Sequence, residues 1–303
     1  MIMRKILKIA LPIIGIAILL GIVVYMTSKP GSNQQGGIVH TVTSKDGTKI
    51  TYDKLGKGPA IILMGGALVS RSSDSELAQL LASHFTVYNF DRRGRGDSGD
   101  TKPYAVEREI EDIDTLITEA GGTVYLYGIS SGAALALQAT ATLGDKVKKL
   151  AIYEAPYSEA QGVAEGWRTF RSKLSELLEA NKHSEAVELH LRNTGAPDAV
   201  IAEMKASPAW QGMETLAPTL AYDAAVVGED RSIPVEKIAK IKATTLVMEG
   251  GASAETMPFM RPTADKIAMT IPRAERRTVE GQSHDVNSKV LAPVLIDFFS
   301  GNK

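Results

Sequence analysis

The amino-acid sequence predicts an α/β fold: a mostly parallel, doubly wound sheet with a helical insertion, preceded by a membrane-crossing helix. Three observations predict it. Short apolar or β-branched runs alternate with helix-forming stretches through most of the 303 residues, which is the pattern of strands covered by helices on both faces. Between about residues 157 and 242 that alternation stops, and helical patterns follow one another without a strand. Residues 9–26 carry no charge at all.

The uncharged run is preceded by Arg4, Lys5 and Lys8 with no acid among them. Its length falls at the lower end for a bilayer span, which needs about 17–25 residues. The basic flank would hold the N-terminus in the cytoplasm and send the rest of the chain outside. No small-x-small cleavage site is convincing near Met26, so residues 1–26 are expected to be an uncleaved membrane anchor, with a cleaved secretion signal as the alternative. The polar, glycine-rich residues 27–37 read as a tether. The folded domain is expected over 38–303.

Within that domain, residues 38–44 and 48–52 alternate around Asp46-Gly47 and predict a hairpin. A continuous apolar strand at 60–64 ends in Gly65-Gly66, and 76–84 is helical. A strand at 85–90 runs into Asp91-Arg92-Arg93-Gly94-Arg95-Gly96-Asp97-Ser98-Gly99. An amphipathic helix over 106–119 is closed by Gly121-Gly122. Strands are expected at 123–127, 147–153, 244–248 and 276–279, and helices at 133–140, from 263, and at 291–300. In the insertion, helices are expected at 166–180, 183–191, 198–207 and 235–241. The whole is too long for a single crossover, so it reads as a cap.

The pentapeptide Gly128-Ile129-Ser130-Ser131-Gly132 lies between the strand at 123–127 and the helix at 133–140. A sharp strand-to-helix turn of this kind strains the serine and presents its hydroxyl at the sheet's C-terminal edge, near the positive end of the helix dipole. Ser130 is therefore the candidate nucleophile. Of the five histidines, His284 alone stands in a polar loop after a late strand, which makes it the candidate base. The net charge of −1 gives no basic field for nucleic acid. The absence of cysteine excludes disulfides, thiol catalysis and cysteine-ligated zinc. No metal-ligand spacing and no phosphate-binding glycine loop is evident, so no metal and no cofactor are expected. The expected partners are a small-molecule substrate and, through the N-terminal helix, a membrane. The Asp91 to Asp97 charges are expected to pair within their own loop, and the acidic stretch 109–114 to form a solvated helix face.

These motifs, in this order, resemble the α/β-hydrolase superfamily over the whole of 38–303. The Asp-Arg-Arg-Gly-x-Gly-x-Ser segment resembles its cap-bearing branch of esterases, haloalkane dehalogenases, metal-free peroxidases and iminopeptidases. The resemblance implies Ser130 as nucleophile, His284 as base, and an oxyanion hole made by the N–H groups of Gly66 and Ser131. Two positions depart from the family pattern. Met64 stands where a histidine usually precedes the oxyanion glycines, and Ser253 stands in the usual slot of the acid. Glu154, directly after the strand at 147–153, matches the position used by a subgroup of haloalkane dehalogenases and is the preferred acid. Glu249, Glu255 or no acid at all are the alternatives.

The expected function is hydrolysis of a small to medium carboxylic ester through an acyl-enzyme. The rivals are an aminopeptidase, lactonase or metal-free peroxidase on the same scaffold, or a ligand-binding protein without catalysis. An aminopeptidase would need acids such as Glu159, Glu165 or Glu176 near the site to hold an amine.

Overall fold

A computed structural model describes residues 38–301. Its first element is the hairpin: Gly47, at φ +86°, turns β1 (Ile38–Thr43) back onto β2 (Lys49–Leu55), and Asp46 Oδ1 accepts from Thr48 N at 3.0 Å. The other strands are β3 (Ala60–Met64), β4 (Thr86–Phe90), β5 (Val124–Ile129), β6 (Val147–Tyr153), β7 (Thr244–Gly250) and β8 (Ala274–Val279). They form one eight-stranded sheet in the order β1-β2-β4-β3-β5-β6-β7-β8. The β1–β2 and β2–β4 pairs are antiparallel and the rest are parallel.

The central strands are apolar throughout because both of their faces are covered. Alternate residues feed two separate cores. Ile62 and Met64 of β3, with Leu126 of β5, enter one, whereas Ile61, Leu63 and Tyr127 enter the other. The second core is closed by α1 (Ser75–Leu81) and the last helix of the chain, and the first by α2 (Val106–Glu119) and α3 (Ser131–Leu143). Leu126 is fully buried, so Leu126→Ala should cost about 2–5 kcal/mol.

Between β6 and β7 the chain is helical: α4 (Val163–Glu179), α5 (His183–Asn193), α6 (Asp198–Lys205), α7 (Trp210–Leu216), α8 (Leu220–Val227) and the short α9 (Val235–Ile238). The sequence patterns do not reveal α7 and α8, because Gly212 and the Ala217-Pro218-Thr219 break obscure their apolar rhythm. Helix α9 is also shorter than expected. Then come α10 (Met260–Thr270), on the first core, and α11 (Ser288–Ser300), on the second.

The expected fold class needs a correction. Among the described residues no helix is long and apolar enough to cross a membrane. The helix expected within 1–26 and the tether at 27–37 lie outside the described residues. The architecture of the described residues is therefore an α/β sheet with inserted helices, with no spanning helix among them, and the expected membrane contact has no support there.

Candidate active site

At the end of β5 the backbone turns at Ser130 with φ 56° and ψ −128°, a conformation costing a non-glycine residue on the order of 1–3 kcal/mol. Two glycines permit it. A Cβ on Gly128 would lie 2.4 Å from Gly132 O, and one on Gly132 would lie 2.2 Å from Met64 O. Helix α3 thus starts directly against β3 and β5. Ser130 N donates to Tyr153 O at 3.0 Å, so the nucleophile candidate is locked to the neighbouring strand.

Strand β6 delivers Glu154. Its own φ of 48° takes the chain out of the sheet, and its N–H still bonds Met248 O at 3.0 Å. The carboxylate is buried and both oxygens are engaged. Oε1 accepts from Gly250 N at 2.8 Å, and Oε2 lies 2.7 Å from His284 Nδ1. The loop carrying His284 is pinned by Tyr153 Oη donating to Ser283 O at 2.6 Å. It also presses on β7: a Cβ on Gly250 would lie 2.3 Å from Gln282 O.

The other candidate acids go elsewhere. Glu249 Oε1 accepts from Thr278 Oγ1 at 2.6 Å and pairs with Arg276. Glu255 is exposed, and Ser253 is fully buried with its hydroxyl unpaired. Glu154 alone of the acids weighed from sequence meets the histidine.

Ser130 and His284 line the same cavity, of about 320 Å³, whose far wall comes from the inserted helices through His190, Met204 and Met213. Among the described residues no hydrogen bond joins Ser130 to His284. Such bonds are often formed only with substrate in place. Gly66 closes the other side of the serine, where a Cβ would lie 3.0 Å from Ser130 Cβ and 3.5 Å from its Oγ. Burial of the His190 imidazole, a group the sequence patterns do not single out, lowers its pKa to about 4.

The arginine loop is organised differently from the expectation. Arg92 pairs with Glu109 at 2.8 Å and with Asp223 at 2.9 Å; Arg93 pairs with Asp112 at 2.7 Å and Asp46 at 2.8 Å; Arg95 pairs with Asp223 at 2.6 Å. Asp91 and Asp97 turn instead to Arg71. Glu109 and Asp112 are buried, not solvated, because each is the counter-ion of an arginine beneath the sheet's edge. Burial opposes the charge of Asp223, but Arg95 and Arg92 outweigh it and hold the carboxyl below the usual range.

This cluster grips the Gly65-Gly66 loop. Arg95 Nη1 donates to Gly66 O, and Arg92 Nη1 reaches Gly65 O at 3.4 Å. The Gly65 C=O and the Gly66 N–H belong to one planar trans peptide and point opposite ways. Holding the oxygen toward Arg92 therefore turns the N–H away from it. Ser131 Oγ donates to Asp223 Oδ1 at 2.7 Å. Asp223 lies on α8, which the sequence patterns do not reveal, and no local pattern marks it as a partner of residues so distant in the chain.

A doubly wound sheet with a glycine-flanked serine elbow, a histidine backed by a carboxylate and a helical roof defines an α/β protein of the hydrolase class. A sequence profile of the Alpha/beta hydrolase family matches residues 61–292, and the chain belongs to that family. An α/β hydrolase from Sphaerobacter thermophilus is 45% identical and superposes with a TM-score of 0.78, covering 86% of this chain and 100% of that one. The chain is also 33% identical over 95 residues to an uncharacterized hydrolase, YraK, of Bacillus subtilis, which is 30% of this chain and 35% of that protein. It is 31% identical over 122 residues to N-formylmaleamate deformylase of Pseudomonas putida, 39% of this chain and 44% of that protein. The chain thus spans less than half the length of these two curated relatives.

Proposed function

We propose that this hydrolase cleaves carboxylic esters through an acyl-enzyme formed on Ser130. His284 takes the Ser130 proton as Oγ attacks the carbonyl carbon, and Glu154 holds the imidazole tautomer and stabilises its charged form. The oxyanion is received by the N–H groups of Gly66 and Ser131. As the tetrahedral intermediate collapses, His284 returns the proton to the leaving alkoxide, and the alcohol departs. Water then repeats the sequence. It gives a proton to His284, its oxygen attacks the acyl carbon, and Ser130 leaves and recovers the proton, which releases the acid.

The observation that carries this reading is the 2.7 Å contact of His284 Nδ1 with a buried carboxylate, on a ring that shares its cavity with the strained Ser130. A fluorophosphonate probe tests it. Stoichiometric labelling of the protein, abolished by Ser130→Ala, is expected; an unlabelled protein that hydrolyses no ester would overturn it. The partial identity to a deformylase favours a second reading, hydrolysis of a formyl amide by the same residues. Matched formyl ester and formyl amide substrates separate the two.

A further inference from the structure

Asp74 lines the cavity of Ser130 and His284 but has no part in the chemistry above. It immediately precedes α1, yet its side chain makes no capping hydrogen bond to that helix. The carboxyl is turned toward the oxyanion loop instead, with Oδ2 3.1 Å from where a Cβ on Gly65 would stand. Among the described residues no hydrogen bond and no ion pair meets it. Its neighbours in the wall are the apolar Val69 and Leu77, together with Ser73 and the Tyr127 ring. Burial pushes the carboxyl up to about 6, which still leaves it mostly ionised at neutral pH.

One further acid lines the cavity: Asp285, its carboxyl raised by burial although His284 works the other way. Among the described residues no lysine or arginine lines the cavity. The acids of the β6–β7 insertion that an amine-binding site could use are committed at the surface: Glu159 pairs with Lys266, Glu165 with Arg168 and Glu176 with Lys173.

Asp74 is half-buried in a largely apolar wall. An unpaired carboxylate there is less well solvated than one in open water, and a cation that enters relieves it. An anion entering the same wall meets repulsion as well as desolvation. A bare negative charge beside Gly65 and Gly66 also opposes the oxyanion that must form there, unless a positive group lies between them. We infer that the cavity recognises acyl substrates bearing a protonated amine, which pairs with Asp74 while the scissile carbonyl rests between Ser130 and Gly66. The inference names a substrate class for the proposed ester hydrolase and rests on that reading for its kinetic test.

The test compares three para-nitrophenyl esters of equal chain length: ε-aminocaproate, heptanoate and pimelate monoester, whose chain ends are ammonium, methyl and carboxylate. The wild-type protein should rank their kcat/KM in that order, with the ammonium ester about tenfold or more above the methyl one. Asp74→Asn, or Asp74→Ser if the first variant does not fold, should lower the ammonium-to-methyl ratio by about tenfold. Preference for the methyl or carboxylate ester in the wild type, or a ratio unmoved by both variants, overturns the assignment. Calorimetric binding of pentylammonium to Ser130→Ala protein supplies a readout without turnover. If the wild-type protein cleaves no ester, binding that Asp74→Asn weakens by about tenfold keeps the amine site and removes the ester-hydrolase reading. Pentylammonium binding no tighter than that of pentanol, or unaffected by Asp74→Asn, overturns the amine site whatever the turnover.

Discussion

Asp223 and Ser131 are joined by a 2.7 Å hydrogen bond across 92 residues of sequence. One end is on an inserted helix and the other on the first residue of the helix that follows the nucleophile candidate. The same Asp223 oxygen accepts from Arg92 and Arg95, whose guanidiniums hold the carbonyls of Gly65 and Gly66. Both backbone donors proposed for the oxyanion are thus oriented from beneath by one buried cluster of two arginines and two carboxylates. The inserted helices roof the cavity, and through Asp223 they also help set the geometry of its floor.

Substitution of Asp223 should therefore act on turnover beyond its effect on folding. In Asp223→Asn an amide oxygen can still accept from Ser131, but the charge balancing Arg95 is gone. We expect kcat on a simple ester to fall about tenfold to a hundredfold with little change in KM, because a misaimed donor loses part of what a deleted one would. Asp223→Ala leaves two buried guanidiniums facing one carboxylate, Glu109, and should cost about 3–5 kcal/mol of stability. Steady-state kinetics and urea denaturation of both variants check this. A loss of stability with unchanged kcat in Asp223→Asn would make the cluster purely structural.

The identity of the acid gives a second prediction. Glu154→Gln keeps the shape of the side chain but no longer stabilises the imidazolium or fixes its tautomer, so kcat should fall by about three to four orders of magnitude. Glu249→Gln should leave kcat within a few-fold of the wild type, since Glu249 is bound to Thr278 and Arg276 and does not touch His284. Equal losses in the two variants would contradict the assignment.

The parts of this site that were legible in sequence share one property: each is imposed by local backbone geometry. A serine held at φ 56° at this crowded turn needs a glycine on each side, and those glycines stand only two residues away in the chain. The parts that were not legible depend on partners far apart. Read locally, Arg92 and Arg95 find Asp91 and Asp97 as their nearest acids, and a self-paired loop follows. Folding instead brings in Glu109 from α2 and Asp223 from α8. One signal was available. Glu109 and Asp112 stand three residues apart, interleaved with the buried Ile110 and Ile113. A helix that presents acids on its apolar face needs buried cations to receive them. Nothing comparable marks Asp223 or Asp74.

Gly250 provides a prediction about the histidine loop. Because a Cβ there would stand 2.3 Å from Gln282 O and 2.6 Å from Tyr153 Oη, Gly250→Ala must push the loop off β7. Tyr153 Oη is the group that pins Ser283, so the shift passes directly to His284. Overpacking of this kind costs about 1–3 kcal/mol. A displacement of roughly an ångström at a catalytic group can cost a hundredfold in rate. Gly212→Ala, at a helical position with no atom within 4 Å of the new Cβ, is the control and should be neutral or slightly stabilising. Thermal unfolding and kcat measured on both variants decide it.

Two groups lining the cavity should oppose each other in the pH dependence of stability. The Asp74 carboxyl is raised by burial from 3.8 to about 6. Between those values the native state holds a proton that the unfolded chain has lost, so this group makes the protein less stable as pH rises through the window. The His190 imidazole is lowered, chiefly by burial, from 6.5 to about 4. Over that range the unfolded chain takes up a proton that the native state refuses, so this group makes the protein less stable as pH falls. The windows overlap almost completely, and in the wild type the two slopes largely cancel. Each single substitution should expose the other. Asp74→Asn should be more stable than wild type by on the order of 1–3 kcal/mol above about pH 7, with the difference closing toward pH 4. His190→Gln should differ least from wild type above about pH 7 and gain by a similar amount as pH falls toward 4. Measuring each variant against wild type removes the titration of groups that the substitutions leave in place. Urea denaturation at several pH values across this range gives both curves. A difference for Asp74→Asn that grows toward acid pH would mean that Asp74 is paired in the native protein, and the amine site proposed for it would lose its footing.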